Sequence, residues 1–331
     1  VYKRQNQKVG PSMDKALNEV QKFLKLRHEK WPRGYEIEIA FGDKYSAKDG
    51  PSAAVASALL IDSLISGSNI RPSFAVTGDM NADGSVLPIG GVSAKIRGAI
   101  RKKCAVVAVP KANVGNISDM VIMEGKGSLY RTQVFAIDTF EQAYAVSRED
   151  PDEKIEEAIR EFDLVAKVLQ GKGESYLRNP KVQEKLKGVV SLAPNHLSAQ
   201  LLLAIGSGRG PKMLSLGGSI TAIRSRTGAV MDVVEKGKVK SLGDSLGGDD
   251  LTKALSDART LHKFVDRRTE PYLKAVIQLG ETLRDYQQNP PRSTTLHNRK
   301  VDSINTALDR VNNSYEKLVN DKAIMEELMI E

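Results

Sequence analysis

Cysteine is almost absent. The 331 residues hold one, Cys104. That excludes an internal disulfide and any zinc site built on several thiolates. Its surroundings, RKKCAVVAVP, read as a strand entering the core, where a thiol serves as a small hydrophobe. Aromatic residues are scarce at 5%. No aromatic-and-basic ribonucleoprotein motif, zinc-finger spacing or arginine-rich block occurs. The four histidines, His28, His196, His262 and His297, show neither H-x-x-x-H nor H-E-x-x-H spacing, so no metal site is expected. No apolar run approaches the roughly 20 residues of a membrane-spanning helix. A phosphate loop of the form G-x-x-x-x-G-K-[ST] is lacking too. The GKG triplets at 125–127 and 171–173 read as loop glycines. No cofactor is expected from these residues.

What is present is a long chain with ordinary composition. Hydrophobic residues are 40% and charged residues 27%, the balance of a soluble globular protein with room for two domains. The formal net charge is +8. Basic residues are interleaved with acidic ones, as in KIEEAIREFD, which reads as a mixed solvated surface rather than a nucleic-acid footprint. VYKRQNQK has no initiator Met and no apolar signal core. Val1–Gln5 is expected to be a non-native scar on a truncated chain. Localisation therefore stays open, cytoplasmic by default.

Along residues 1–149 helical and strand patterns alternate, which predicts one α/β domain. Met13, Leu17, Val20 and Leu24 mark one face of a helix over 12–30. YEIEIAF (35–41) alternates like a strand. Residues 52–66 are apolar almost all round, which predicts a buried helix stopped by Gly67. PSFAVTG (72–78) reads as a strand, NADG (81–84) as a hairpin turn, and 92–102 as a helix. AVVAVP (105–110) and VFAID (134–138) read as buried strands, with a helix after Thr139.

Beyond Asp150-Pro151 the expectation is all-α. Residues 150–206 read as helices, weakly tetratricopeptide-like, and the Gly- and Ser-rich 207–250 as a loop or linker. In 251–331, Tyr272, Val276, Leu279, Leu283 and Tyr286 step by 4, 3, 4, 3. Val301, Ile304, Leu308, Val311, Tyr315 and Leu318 follow the same rhythm. Those are coiled-coil seams, and Asn289-Pro290-Pro291 between them predicts an antiparallel helical hairpin. It reads either as a plain structural hairpin or as a surface for self-association or a partner.

KDGPSAAVA (48–56) raises the chemical question. Ser52 stands where polar residues give way to an apolar helix. It reads either as a helix cap after a first-turn proline or as a nucleophile at a helix start, where backbone N–H groups face an oxyanion. A base is then required. His28, the one histidine in the first domain, lies on a polar, charged helix. Lys95 in LPIGGVSAKIRGAI lies near an apolar face marked by Val92, Ile96 and Ala99, where burial would favour the neutral amine.

KDGPSA, TGD and LPIGGVSAK resemble the Lon-type serine proteases over roughly residues 10–149, with AVVAVPKAN resembling the strand and loop after the family's lysine helix. The family's serine lies in PKDGPSAG, its threonine in TGE and its lysine in PIGG-x-x-x-K. Ser52, Thr77 and Lys95 stand at those positions. Asp49, Gly50, Pro51 and Ala53 surround the serine, and Gly90 and Gly91 match the glycine pair. Ala54 and Asp79 depart from the family's Gly and Glu, and Ser93 and Ala94 from its charged residues.

The resemblance implies an α/β Lon-type proteolytic domain followed by an all-α region. It also implies a serine endopeptidase using a Ser52–Lys95 dyad, with Thr77 orienting the amine. Asp49 would either shape the loop through backbone hydrogen bonds or gate the site by pairing with Lys95. A polypeptide substrate is implied, and a homo-oligomer and an upstream or separate ATPase stay open as partners. The alternative is a catalytically idle Lon-like scaffold, or a partner-binding protein that uses the helical C-terminal region. A nucleic-acid binder is the remaining reading.

Overall fold

A computed structural model describes residues 9–32, 34, 37–42, 49–238, 248–322, 324, 325 and 328. The chain divides into two compact units between Pro211 and Lys212. In the first, α1 (Pro11–Arg27) precedes a short 3-10 turn (Pro51–Ala53) that runs into α2 (Ala54–Ser66). β1 (Phe74–Val76) follows, then a hairpin of β2 (Asp79–Met80) and β3 (Val86–Leu87). α3 (Val92–Arg101), β4 (Val106–Pro110), α4 (Val114–Glu124), α5 (Gly127–Arg131), β5 (Gln133–Ile137) and α6 (Phe140–Ser147) complete the α/β part. α7 (Glu153–Lys172), α8 (Pro180–Leu192) and α9 (Leu197–Gly206) end the unit.

β4 is the centre of a parallel sheet of order β1-β4-β5, with Ala75 opposite Val107 and Val107 opposite Val134. All five of its residues are buried, which is why the run is apolar without alternation. Parallel strands need crossovers, and α3 and then α4–α5 supply them. The Asn81–Ser85 turn closes the β2–β3 hairpin, with Gly84 at φ +85°. Thr139 caps α6 by accepting from the Gln142 N–H at 3.3 Å.

The 35–41 segment departs from expectation. Tyr35 and Glu36 lie outside the described residues, and residues 37–41 form no strand. Ile37 and Ile39 are instead packed against the core, so their alternation records burial rather than a ladder. α2 is also less enclosed than its composition predicts. Ala54, Val55, Ala58 and Leu59 are buried, but Leu60 and Leu64 are exposed. Gly67, at φ +73°, ends it as expected.

The helices after residue 150 join the first unit's core rather than standing apart. Phe162, Leu186 and Leu202 belong to the same apolar cluster as Val107 and Phe135. The turn into α9 also closes the open edge of β5. Ala136 N–H donates to the Asn195 carbonyl at 2.9 Å, and Val134 N–H to the Ser198 hydroxyl at 2.9 Å. Covering an edge in this way removes a template for unwanted strand pairing.

His196 anchors that turn. It is fully buried, with its ring between Phe135 and Phe162, at centroid distances of 4.4 and 4.5 Å. Nδ1 accepts from the Ala199 N–H at 3.2 Å, and Nε2 meets Gln133 Oε1 at 2.9 Å. Gln133 then donates to the Ile159 carbonyl and to Asp163. The histidine is thus a satisfied core residue.

The second unit holds α10 (Leu216–Arg226), α11 (Gly228–Lys236), α12 (Gly248–Leu261), α13 (Glu270–Gln288) and α14 (Thr294–Val319). The stretch read as a loop or linker therefore contains two helices, and its residues 239–247 lie outside those described. Its serines support helix rather than loop. Ser215 caps α10 through the Gly218 N–H, and Ser219 back-bonds to the Ser215 carbonyl. Buried Ile220, Ile223, Val230, Met231 and Val233 hold these helices to the core of the unit.

α13 and α14 form the expected antiparallel pair. Tyr272 stacks near Tyr315 at 5.4 Å, Gln278 accepts from Arg310, and Asp285 holds Lys300 at 2.7 Å. The pair is not isolated. A Cβ on Gly280 would lie 2.9 Å from Leu255 of α12 and 3.2 Å from Val230 of α11. Three helices thus converge on that glycine.

Burial lowers the His196 pKa from 6.5 to about 3. Below pH 6.5 the unfolded chain takes a proton at this residue and the folded chain does not until about pH 3. The stabilisation is complete above pH 6.5 and is lost as pH falls toward 3. Stability is expected to drop by up to about 1.4 kcal/mol per pH unit in that window. His196→Asn should flatten this slope while lowering stability at neutral pH. Urea unfolding at a series of pH values checks it, and a slope that survives the substitution would contradict the assignment.

Candidate active site

Ser52 lies in the 3-10 turn that opens α2. The turn is entered through Gly50 at φ +115° and ψ 138°, a conformation that a Cβ disfavours, followed by Pro51. Ser52 does not cap the helix: the N-cap position of α2 is Ala53, and no side chain caps it. Among the described residues the half-buried Ser52 hydroxyl takes no hydrogen bond. The first N–H groups of such a turn, here those of Ser52 and Ala53, have no acceptor within it.

The Ser52 backbone is tied to the end of β1. Its carbonyl accepts from Gly78 N–H at 3.0 Å and from the Thr77 hydroxyl at 3.1 Å. Val55 N–H returns a bond to the Gly78 carbonyl at 3.2 Å. Gly78 is the close approach: a Cβ there would lie 3.0 Å from both Val55 and Val86. Thr77 is buried, and its N–H donates to Ala108 of β4 at 3.1 Å. The resemblance gives Thr77 to the lysine amine. In this structure its one donor goes to Ser52 instead, which leaves the hydroxyl oxygen able to accept.

Asp49 follows the loop-shaping alternative. Its Oδ1 accepts from Gly50 N–H at 2.9 Å, Ser12 N–H at 3.0 Å and Met13 N–H at 3.3 Å. Desolvation pushes its pKa up, but these backbone bonds outweigh it and hold the carboxyl below its usual value. The approach is close enough that a Cβ on Gly10 would lie 2.2 Å from Asp49 Cγ. Asp79 behaves oppositely. Burial raises its pKa and Glu19 adds to that, against one bond from Met80 N–H.

Lys95 lies on α3, which starts after Gly91 at φ +72°. The residue is half-buried, and its amine donates to the carbonyl of the exposed Gly90 at 3.1 Å. Desolvation lowers its pKa from the usual 10.5. No carboxylate pairs with it among the described residues. The structure does not hydrogen-bond Lys95 to Ser52 or to Thr77. Lys48 lies outside the described residues.

Sequence reasoning missed Asn113. This residue is fully buried in the turn after β4. Its Oδ1 accepts from Ile89 N–H at 3.0 Å and its Nδ2 donates back to the Ile89 carbonyl at 3.0 Å. Nδ2 also meets Asn116 Oδ1 at 2.8 Å. The residues AVVAVPKAN were legible as strand and loop, and an asparagine closing the loop after an apolar strand was the one available signal.

His28 is occupied elsewhere. With Arg27 it holds the fully buried Asp62, at 3.0 and 2.8 Å. No group of three or more His, Cys, Asp and Glu that could hold a metal ion occurs among the described residues. Nor is any helix among them long and apolar enough to cross a membrane.

Residues 15–142 match the Lon protease (S16) C-terminal proteolytic domain. The chain is 29% identical over 149 residues to an archaeal Lon protease of Thermococcus kodakarensis, covering 45% of this chain and 23% of that protein. It is 32% identical over 121 residues to a Lon protease of Haemophilus influenzae, covering 37% and 15%. An archaeal Lon protease of Thermoplasma volcanium is 30% identical over 162 residues, covering 49% and 23%. The chain thus spans less than a quarter of the length of each of these relatives. The match contains the Ser52 turn, the end of β1, the Lys95 helix and Asn113, and residues 15–142 are a Lon-type proteolytic domain.

Proposed function

We propose that the first unit is a serine endopeptidase in which Ser52 is the nucleophile and Lys95 the general base. One observation carries the reading. Lys95 is a half-buried residue with a lowered pKa and no carboxylate partner among the described residues. Partial desolvation without a counter-charge makes such a lysine easier to deprotonate than a fully exposed or paired one. A lysine kept neutral by desolvation is what serine activation requires.

The reaction is acyl transfer. Neutral Lys95 takes the Ser52 Oγ proton as the oxygen bonds to the scissile carbonyl carbon. The backbone N–H groups of Ser52 and Ala53, in the turn before α2, receive the developing oxyanion. The C–N bond breaks, and the Lys95 ammonium gives its proton to the leaving amine. Water then attacks the acyl ester with Lys95 again as base, and the proton returns to Ser52 Oγ. The Thr77 hydroxyl oxygen remains able to accept from the amine. Formation of a Ser52–Lys95 hydrogen bond belongs to the substrate complex, since catalytic bonds are often long in the free enzyme.

A fluorophosphonate or peptide-boronate probe should modify Ser52, and Ser52→Ala should remove labelling without unfolding the protein. Modification of a different serine, with Ser52 untouched, would refute the nucleophile. Absence of any labelling would favour the idle scaffold. Peptide hydrolysis by this chain should not respond to ATP and magnesium, because no Walker sequence is present. Several-fold stimulation would reveal a nucleotide site.

Lys95→Arg keeps the charge but cannot lose its proton. Activity should fall by about 10² to 10⁴-fold. The wild-type rate should rise with pH as Lys95 deprotonates, with a midpoint below the free value of about 10.4. An active arginine variant with an unchanged pH profile would rule out the dyad.

A further inference from the structure

We infer that Asn113 is a positioning residue for the Lys95 amine, acting through the loop formed by residues 88–91. This rests on the proposed role of Lys95 for its functional meaning, but its geometry stands independently. Ile89 is buried in the core and the Gly91 carbonyl accepts from Lys95 N–H at 3.1 Å, but the stretch between them has few holds of its own. Pro88 has no N–H, and Gly90 and Gly91 have no side chains. A Cβ on either glycine would meet nothing within 4 Å, so the backbone is not gripped from outside by packing there. Its carbonyl at Gly90 is nevertheless the atom to which Lys95 Nζ donates, at 3.1 Å.

Asn113 holds the backbone beside the buried Ile89 side chain. Its amide pairs with both backbone groups of Ile89, at 3.0 and 3.0 Å, as a neighbouring strand residue would. Among the described residues it is the one side chain from another part of the fold to hydrogen-bond this loop. The amide is itself oriented: Asn113 is fully buried at the foot of β4, and Asn116 Oδ1 receives its second N–H at 2.8 Å. Ser93, on the first turn of the Lys95 helix, donates to the Asn116 carbonyl at 3.4 Å. Two links thus run from the 113–116 turn to the elements that carry Lys95, one through the loop and one through the helix start. Such a bidentate clamp holds the carbonyl of the exposed Gly90, next to Ile89, in place beside the amine. Removing the clamp frees the Gly90 carbonyl to move and lets water replace it as the acceptor of Nζ.

The test follows Lys95 itself as well as turnover. In full-length protein with ¹³C-labelled lysine, the Lys95 ε-carbon is titrated in wild type, Asn113→Ala and Asn116→Ala. Lys95→Arg identifies the resonance. The expected result is a wild-type midpoint below the free value of about 10.4, shifted upward in Asn113→Ala. Asn116→Ala, which keeps the clamp but frees its orientation, should shift the same way by less. It also serves if Asn113→Ala does not fold. Peptide hydrolysis is measured per Ser52 site labelled by the active-site probe. There kcat should fall by roughly 10- to 100-fold with KM nearly unchanged, as for a misplaced catalytic group. Unchanged Lys95 midpoints in the folded variants would overturn the inference and leave Asn113 a purely structural anchor. Failure of the protease reading is distinguishable: wild type would then neither label at Ser52 nor cleave peptide, while the Lys95 titration would still report on the clamp.

Discussion

The first unit turns on the reciprocal hydrogen bonds between the Ser52 turn and the end of β1. Ser52 C=O receives Gly78 N–H, and Gly78 C=O receives Val55 N–H, so a helix start is stitched to a strand end. The stitch succeeds because residue 78 has no side chain, since a Cβ would press on Val55 and Val86. Thr77 adds a side-chain bond to the same carbonyl while its own N–H is held by β4. The serine turn is thereby referenced to the central strand of the sheet. Whatever chemistry Ser52 performs, its position is inherited from the sheet rather than from a loose loop.

Much of the first unit's secondary structure was legible because burial leaves plain marks in sequence. The unbroken VVAVP run is the signature of a strand covered on both faces, and Asp83-Gly84 of a hairpin turn. Two failures share a cause. Ile37 and Ile39 alternate and are packed, yet no ladder forms among residues 37–41, because alternation reports sidedness and not hydrogen bonding. Across 207–250, glycine and serine density reads as a linker, yet Ser215 and Ser219 bond into α10 itself. Residue type alone does not distinguish a capping serine from a loop serine. What no local pattern could reveal is that α7–α9 share the α/β core, since Ser198 and Asn195 meet β5 across some 60 positions of chain, |i−j| being 64 for Ser198 and Val134.

The candidate site was legible to a different degree. Motif order located Ser52, Thr77, Lys95 and Asp49, because each lies in a short stretch with its own glycine or proline. The directions of their hydrogen bonds were not legible. A motif names the residue at a position, whereas a hydrogen bond depends on where the partner backbone arrives. Thr77 points its donor at Ser52, and Asp49 reaches back across nearly the whole amino-terminal segment to Ser12 and Met13. Asn113 went unread for the same reason: its importance lies in facing Ile89, 24 residues earlier.

The two charged residues of the site are complementary in a way that bears on reactivity. Asp49 is the carboxylate nearest in sequence to Ser52, and three backbone N–H groups hold it ionised at the start of α1. A carboxylate so engaged would lose those bonds in turning to pair with an amine, and charge-assisted bonds to N–H groups are among the stronger ones. Lys95 is left half-buried without a counter-charge, where desolvation favours the neutral amine. Had Asp49 paired with Lys95, the opposite charge would have raised the lysine pKa. Anchoring the acid to α1 therefore does two things at once: it fixes the Gly50 turn that precedes Ser52, and it keeps this carboxylate from serving as a counter-charge to Lys95.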